Sequence, residues 1–197
     1  MKPIIGIIVR KDNNKYYLNE NIIKVVEKYN GIPLGIFNED YDLIDKCDGI
    51  ILPGGDDIIK KDLNIINYLY KKDIPTLGIC LGMQEMGYLF NGKMNDVSNY
   101  NHLKKYDRYA HNINIIKNSK LYEIIGEEKI KVNSRHKDYL ISTDLTISSI
   151  SDVIESIEDK NKRFFIGVQW HPEDMLDYDT NSNKLFENFI KSSTKNI

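Results

Sequence analysis

A chain of 197 residues carrying 27 basic against 29 acidic side chains is long enough to bury a sizeable core and short for two complete domains. The near balance of charge, with no basic run and no interleaving of aromatic and basic residues, argues against a nucleic-acid surface and favours a small soluble substrate. The opening apolar run is too short for a membrane span and no small-residue cleavage site follows it, so neither a membrane nor export is expected.

In chain order, residues 4–9 form the continuous apolar run of a central parallel strand. From Asn21, apolar residues Ile22, Ile23, Val25, Val26 and Tyr29 recur at helical spacing, and Gly31, after Asn30, is the expected stop. Ile32 to Phe37 reads as a second strand, and residues 41–47 as one or two helical turns ending in Cys47, read as a small buried side chain. A third strand, Asp48 to Leu52, stops abruptly in Pro53-Gly54-Gly55. Residues 62–72 predict a helix with Leu63, Ile66 and Leu69 on one face, leading into a strand from Ile74 to Ile79. Strand alternating with helix predicts an α/β fold around a parallel sheet. In such sheets ligands sit outside the carboxyl ends of the strands, where Gly54-Gly55 and Cys80 both fall.

Beyond Cys80 a helix carries Met83, Met86 and Phe90, Asn91-Gly92 marks a turn, and the polar residues 93–110 read as surface loop. The pattern then predicts a strand at 111–117, a helix at 119–125 capped by Ser119 and ended near Gly126, and strands near 129–133, 145–150, 152–157 and 163–170. This half is expected to be an antiparallel extension or flank of the parallel sheet. A last helix, about 181–191, packs Leu185, Phe186, Phe189 and Ile190 inward. With no repeat, linker or low-complexity segment, one domain over residues 1–197 is expected.

The chemistry concentrates in Gly78-Ile79-Cys80-Leu81-Gly82, between a strand and a helix. A side chain on such a sharp turn is pushed out of the sheet, and glycines two residues either side relieve the crowding. The unpaired amides and dipole of the following helix favour a thiolate at Cys80. A thiol attacking an amide needs a base that takes its proton and returns it to the leaving amine, and a group that orients the base. His171 and Glu173 fit those roles at the end of an apolar strand, because Pro172 biases His171 toward an extended conformation that sends side chains 171 and 173 to one side. The oxyanion would be met by the amide of Leu81 and by amides of Gly54 and Gly55. Two cysteines are too few for a disulfide framework and lack zinc-site spacing; a reactive thiol suits a reducing cytoplasm.

Pro53-Gly54-Gly55, Gly78-Ile79-Cys80-Leu81-Gly82-Met83-Gln84 and Gln169-Trp170-His171-Pro172-Glu173 together resemble the three signature stretches of class I glutamine amidotransferases. The resemblance implies a flavodoxin-like three-layer α/β fold and a Cys80-His171-Glu173 triad that forms a γ-glutamyl thioester, with Gln84 and Leu81 holding the glutamyl group. Val132-Asn133-Ser134-Arg135-His136-Lys137 is similar to a stretch of the γ-glutamyl-γ-aminobutyrate hydrolase branch, the peptidase C26-like group, and places Ser134, Arg135 and His136 in the substrate-binding region. The likeness departs at Lys137 and Asp138, where the branch has a second His and a Gln, and in the short segment between Gly55 and the next helix.

The resemblance implies a stand-alone cytoplasmic hydrolase of γ-glutamyl amides, with a small-molecule substrate and no metal or organic cofactor. Its alternatives are a glutaminase subunit passing ammonia to a separate synthase and a non-catalytic binding homologue. A homodimer is compatible with the sequence and not required by it. His111 and Trp170 read as structural, His102 as a loop residue without a role, and Arg10, at the end of the first strand, as an exposed strand-end residue that needs no function, with contact to a substrate carboxylate as the lesser alternative.

Overall fold

The computed structural model describes residues 1–12, 14–95, 104 and 107–194. The first half runs β1 (Ile4–Ile8), β2 (Arg10–Asp12), β3 (Lys15–Tyr17), α1 (Glu20–Lys28), β4 (Ile32–Ile36), α2 (Tyr41–Ile44), β5 (Gly49–Leu52), α3 (Lys60–Lys72), β6 (Thr76–Ile79) and α4 (Leu81–Leu89). The second runs β7 (Lys93–Asn95), β8 (His111–Ile115), α5 (Lys120–Ile125), β9 (Lys129–Val132), β10 (Tyr139–Ser142), β11 (Thr146–Ile150), β12 (Ile154–Glu158), β13 (Phe165–Val168), a 3-10 turn (Pro172–Asp174) and α6 (Thr180–Ser192).

Among the described residues, nine strands form one sheet in the order β4-β1-β5-β6-β13-β12-β11-β8-β9. Strands β4, β1, β5, β6 and β13 are mutually parallel, and β12, β11, β8 and β9 continue antiparallel. The expected parallel sheet with an antiparallel extension is therefore present, and β13 closes the parallel part beside β6. One face of the sheet packs against α1, α5 and α6 through Ile22, Val25, Leu121, Phe186 and Phe189. The other packs against α2, α3 and α4 through Ile44, Ile66, Leu69, Met83 and Met86. Two apolar layers around a sheet buried on both faces explain why its parallel strands are unbroken apolar runs.

Local differences from the sequence expectation have physical causes. Helix α1 is stopped by Asn30, which takes the left-handed conformation at φ 65°, and not by Gly31. Gly31 is instead small because a Cβ there would sit 2.8 Å from Val26 Cγ1. In α3 the buried face is Asp62, Ile65, Ile66 and Leu69, with Leu63 only half-buried, so a charged residue lies where an apolar one was expected. Residues 93–110 are not wholly loop: β7 pairs antiparallel with β10, a strand the apolar pattern missed, and that ribbon rests Leu140 on Gly87 of α4. The β2–β3 hairpin was likewise missed, because its three-residue strands are too short to show an alternation.

Candidate active site

Strands β5, β6 and β13 lie side by side in the parallel part of the sheet, so their carboxyl ends bring Pro53-Gly54-Gly55, Cys80 and His171 together. Cys80 follows β6 directly and caps α4 with φ 51° and ψ −104°. A non-glycine residue held at positive φ costs about 1–3 kcal/mol and persists only where the surroundings over-determine it. Here Cys80 N–H donates to the Val168 carbonyl at 2.8 Å and the Cys80 carbonyl accepts from Gln84 N–H at 3.1 Å. Close packing completes the constraint: a Cβ on Gly78 would come within 2.4 Å of Met86 Sδ, and one on Gly82 within 2.2 Å of the Leu52 carbonyl oxygen. The two glycines let α4 press against β6 and β5, as the spacing around the cysteine predicted.

His171 follows β13, whose Val168 is in register with Ile79 of β6. Its Nδ1 is 2.8 Å from Glu173 Oε1, with side-chain exposures of 15% and 1%. The pairing is reached across the 3-10 turn with Pro172 in its first position, not along an extended segment as expected. Burial pushes the ring's pKa down, but the Glu173 carboxylate, together with hydrogen bonds to Cys80 and Glu173, outweighs it and raises the pKa well above the usual 6.5. The shift favours the protonated ring beside the sulfur. Since the folded value is the raised one, this pairing stabilises the fold fully below pH 6.5 and its contribution is lost as pH rises through the folded value.

The sequence reading assigned no role to Asn133, yet it clamps the histidine backbone from both sides. Asn133 Oδ1 accepts from His171 N–H at 2.8 Å, and Asn133 Nδ2 donates to the His171 carbonyl at 2.8 Å. Gln169 is a second omission: its Nε2 donates to Cys80 Sγ at 3.6 Å, and its Oε1 accepts from Gln84 Nε2 at 3.1 Å. Both residues lie within the stretches singled out in the sequence, and their hydrogen-bonding side chains at buried positions were the available signal.

Gly54 and Gly55 flank the pair. A Cβ on Gly54 would approach His171 Cε1 to 2.8 Å and Cys80 Cβ to 3.7 Å, and one on Gly55 would approach Leu81 Cδ2 to 2.8 Å. Leu81 begins α4, where its amide lacks a partner within the helix. Arg10 does not offer itself to a substrate carboxylate. Its five N–H groups are spent on the Pro53 carbonyl (Nε 3.1 Å, Nη2 2.6 Å), on Glu85 (Nη1 3.2 Å, Nη2 2.9 Å) and on Asp62 through Nη1.

Gln84 is buried and donates also to the Asp138 carbonyl at 2.8 Å. With Leu81, Met94, Asn95 and Asp138 it lines a cavity of about 280 Å³. A larger cleft of about 600 Å³ lies across Leu81, between the β2–β3 hairpin and the Gly54–Asp57 segment, with Tyr17 and Ile59 in its walls. Ser134 and His136 are buried, and Ser134 Oγ has no hydrogen-bond partner among the described residues. His136 Nδ1 lies 3.1 Å from the Asp138 carbonyl oxygen. Arg135 is ion-paired with Asp174, so its guanidinium already has an acidic partner.

Trp170 is buried. His111 pairs at 2.6 Å with the buried Glu155; burial pushes that carboxyl up, and the His111 and Ser151 hydrogen bonds bring it below the usual range. Cys47 is buried, with its thiol pushed up to about 11 by burial and by Asp48. The expectation for His102 falls outside the described residues. Among those described, His171, Glu173 and Asp174 bring possible metal ligands within 4.8 Å of one another. Of these groups, His171 Nδ1 is engaged with Glu173, and Asp174 with Arg135 and Asn21. No helix among the described residues is long and apolar enough to cross a membrane.

Comparison with known proteins identifies relatives of the whole chain. The peptidase C26 family model matches residues 60–173. A Schizosaccharomyces pombe protein provisionally named a glutamine amidotransferase is 33% identical over 225 aligned positions, covering 97% of this chain and 87% of its own. A glutamine-hydrolysing GMP synthase subunit from Methanosphaera stadtmanae is 32% identical over 149 positions, 73% of each chain. In structure, a Thermoplasma acidophilum protein provisionally assigned as a GMP synthase subunit superposes with a TM-score of 0.74 at 19% identity, covering 98% of this chain and 95% of that one, a likeness of fold. With a family match over more than half its length and a third of its residues shared with a relative aligned nearly end to end, the chain belongs to the peptidase C26 family, within the class I glutamine amidotransferase-like superfamily.

Proposed function

We propose that the protein cleaves γ-glutamyl amide bonds with Cys80 as nucleophile, acting alone. The observation that carries this reading is a cysteine at positive φ beside a histidine that is paired through Nδ1 with a buried carboxylate. Cys80 Sγ attacks the γ-carbonyl carbon, forming a C–S bond while the carbonyl electrons move onto oxygen. The amides of Leu81 and of Gly54 or Gly55 receive that oxyanion. His171 gives its proton to the amine nitrogen, the C–N bond breaks, and the amine leaves. Water then attacks the thioester with His171 as base, the C–S bond breaks, and glutamate departs. Glu173 keeps the ring's second nitrogen occupied throughout.

Gln84 spends both side-chain N–H groups on protein partners, which leaves its carbonyl oxygen to accept from a substrate ammonium in the 280 Å³ cavity. Ser134, Arg135 and His136 are assigned to the same glutamyl-binding role on the sequence likeness, with the His136 ring 3.1 Å from the carbonyl oxygen of Asp138, a residue of the cavity wall. The 600 Å³ cleft beside the glycine turn gives room for an amine larger than ammonia, which favours a hydrolase working without a partner. The likeness to a GMP synthase subunit favours a second reading, a glutaminase that hands ammonia to a synthase.

Purified protein assayed against a panel of γ-glutamyl amines and against glutamine separates the two. Turnover of a γ-glutamyl amine in the absence of any partner is expected, and Cys80→Ala should lower it by at least ~10⁴-fold. Activity confined to glutamine and dependent on an added synthase would replace this reading with the second.

A further inference from the structure

We infer that Arg10, held by Asp62 and Glu85, is a positioning residue that fixes the peptide between Pro53 and Gly54 so that its N–H is aimed for the oxyanion. The inference rests on the proposed acyl transfer and extends it to groups well away from the triad in sequence. Two guanidinium N–H groups converge on the Pro53 carbonyl at 2.6 and 3.1 Å. In a planar trans peptide the carbonyl and the following N–H point in opposite directions. A carbonyl pinned toward Arg10 therefore turns the Gly54 N–H away from it. Gly54 is the residue whose Cβ would reach His171 and Cys80. Gly55 is held from the same side, since a Cβ there would lie 3.3 Å from both Cδ and Nε of Arg10.

The rest of the guanidinium is locked by geometry that a lone structural ion pair does not need. Glu85 takes two N–H groups in the bidentate arrangement that fixes an arginine's plane, and Asp62 takes the fifth. Both carboxylates are buried, on α3 and α4 respectively, while Arg10 is 14% exposed. Acids from two helices thus hold the one guanidinium that meets the carbonyl oxygen of the turn after β5. An oxyanion donor contributes only when it is preorganised, so losing Arg10 should act on the transition state more than on the bound substrate.

The test compares the wild type with Arg10→Met, and with the triple variant Arg10→Met, Asp62→Asn, Glu85→Gln, which leaves no buried charge unpaired. Three readouts apply: turnover of γ-glutamyl-p-nitroanilide and of glutamine, the rate at which iodoacetamide alkylates Cys80, and amide exchange of Gly54 and Gly55 in 15N-glycine-labelled protein. The expected result is a fall in kcat of roughly 10- to 100-fold, with KM and the alkylation rate within about twofold and faster exchange at Gly54. A folded variant with unchanged kcat and unchanged Gly54 exchange overturns the inference. So does a rise in KM at constant kcat, which would make Arg10 a substrate-binding group. If the wild type turns over neither compound, the proposed function falls, and glycine exchange alone then decides whether Arg10 holds the turn.

Discussion

The parallel and antiparallel parts of the sheet hold their functional side chains by different means. On the parallel side Cys80 is fixed by packing: Gly78 and Gly82 leave no room for a Cβ against Met86 and Leu52. The residues around it are close to fully buried. On the antiparallel side polar side chains share the interior with apolar ones. Ser148, Ser149, Glu155, Ser156 and Glu158 are all buried in β11 and β12, and the base beside this wing is held by the Asn133 side chain at both ends of its backbone unit. A strained backbone at the nucleophile needs rigid walls, because packing resists displacement in every direction. A histidine that takes up and gives back a proton needs its position set by directional bonds that leave the ring's charge free to change.

If packing holds the nucleophile, the largest effect should follow from a single methyl group. Gly82→Ala would place a Cβ 2.2 Å from the Leu52 carbonyl oxygen and 2.7 Å from Leu52 Cβ, both on β5 at the bottom of the elbow. Neither contact is the end of a flexible side chain, so the helix must lift. A loss of ~3 kcal/mol or more is expected, at the upper end for overpacked cores. Urea unfolding checks it; a loss under ~1 kcal/mol would mean that α4 has slack and that packing does not set the cysteine.

Charge intrudes on the packed side at the Arg10 cluster, and its pH dependence sharpens the comparison. Burial raises the Glu85 pKa to about 7 despite Arg10, which lowers it, with Asp62 adding to the rise. The groups facing it are Arg10 from β2 and Asp62 from α3, with Lys61 3.6 Å from Asp62. An acid with a folded pKa above its unfolded 4.5 binds more protons folded than unfolded between those values. Stability therefore falls as pH rises from about 4.5 to about 7, by roughly 3 kcal/mol in total. Glu85→Gln removes that slope. Measured against the wild type, the variant should gain by about that amount between pH 4 and pH 8, and parallel stability profiles would sink the assignment.

Much of this contrast was readable in the chain, but unevenly. The apolar runs at 4–8, 49–52 and 76–79 announced the parallel strands, because burial on both faces leaves few polar residues. The glycines flanking Cys80 announced its elbow, because close approach admits no other residue. The Arg10 cluster was hidden: its members lie 52 and 75 residues apart, and Asp62 and Glu85 look like ordinary exposed helix acids until the sheet brings Arg10 between them. Strands β7 and β10 were hidden for another reason, since a two-stranded ribbon outside the main sheet is set by pairing at a distance rather than by a local period. Helix α1 showed the same limit at its end, where Asn30 took the left-handed position assigned to Gly31.

On the hydrogen-bonded side a smaller and more specific effect is expected. Asn133→Ala deletes the acceptor for His171 N–H and the donor to its carbonyl. The ring stays paired with Glu173 but its backbone loses both guides, so kcat should fall roughly 10- to 100-fold with KM little changed. Asn133→Asp, which retains the acceptor, should recover part of the loss. An Asn133→Ala enzyme with wild-type kcat would show that the Glu173 bond suffices to place the base.

The smallest effect tests whether the polar interior of the wing is itself stabilising. Ser156 Oγ sits 2.7 Å from Ser148 Oγ and 2.7 Å from Ser149 Oγ, all three buried. Removing the central hydroxyl in Ser156→Ala leaves two buried hydroxyls short of a partner, at a cost of about 1–2 kcal/mol. Replacing all three serines by alanine removes the unsatisfied groups as well as the bonds, and stability should return to within ~1 kcal/mol of wild type. Recovery in the triple variant is the signature of hydrogen bonds that satisfy one another without adding net stability. If instead the losses accumulate from one alanine to three, the serines are filling space, and the wing would be held by packing as much as the nucleophile's side of the sheet.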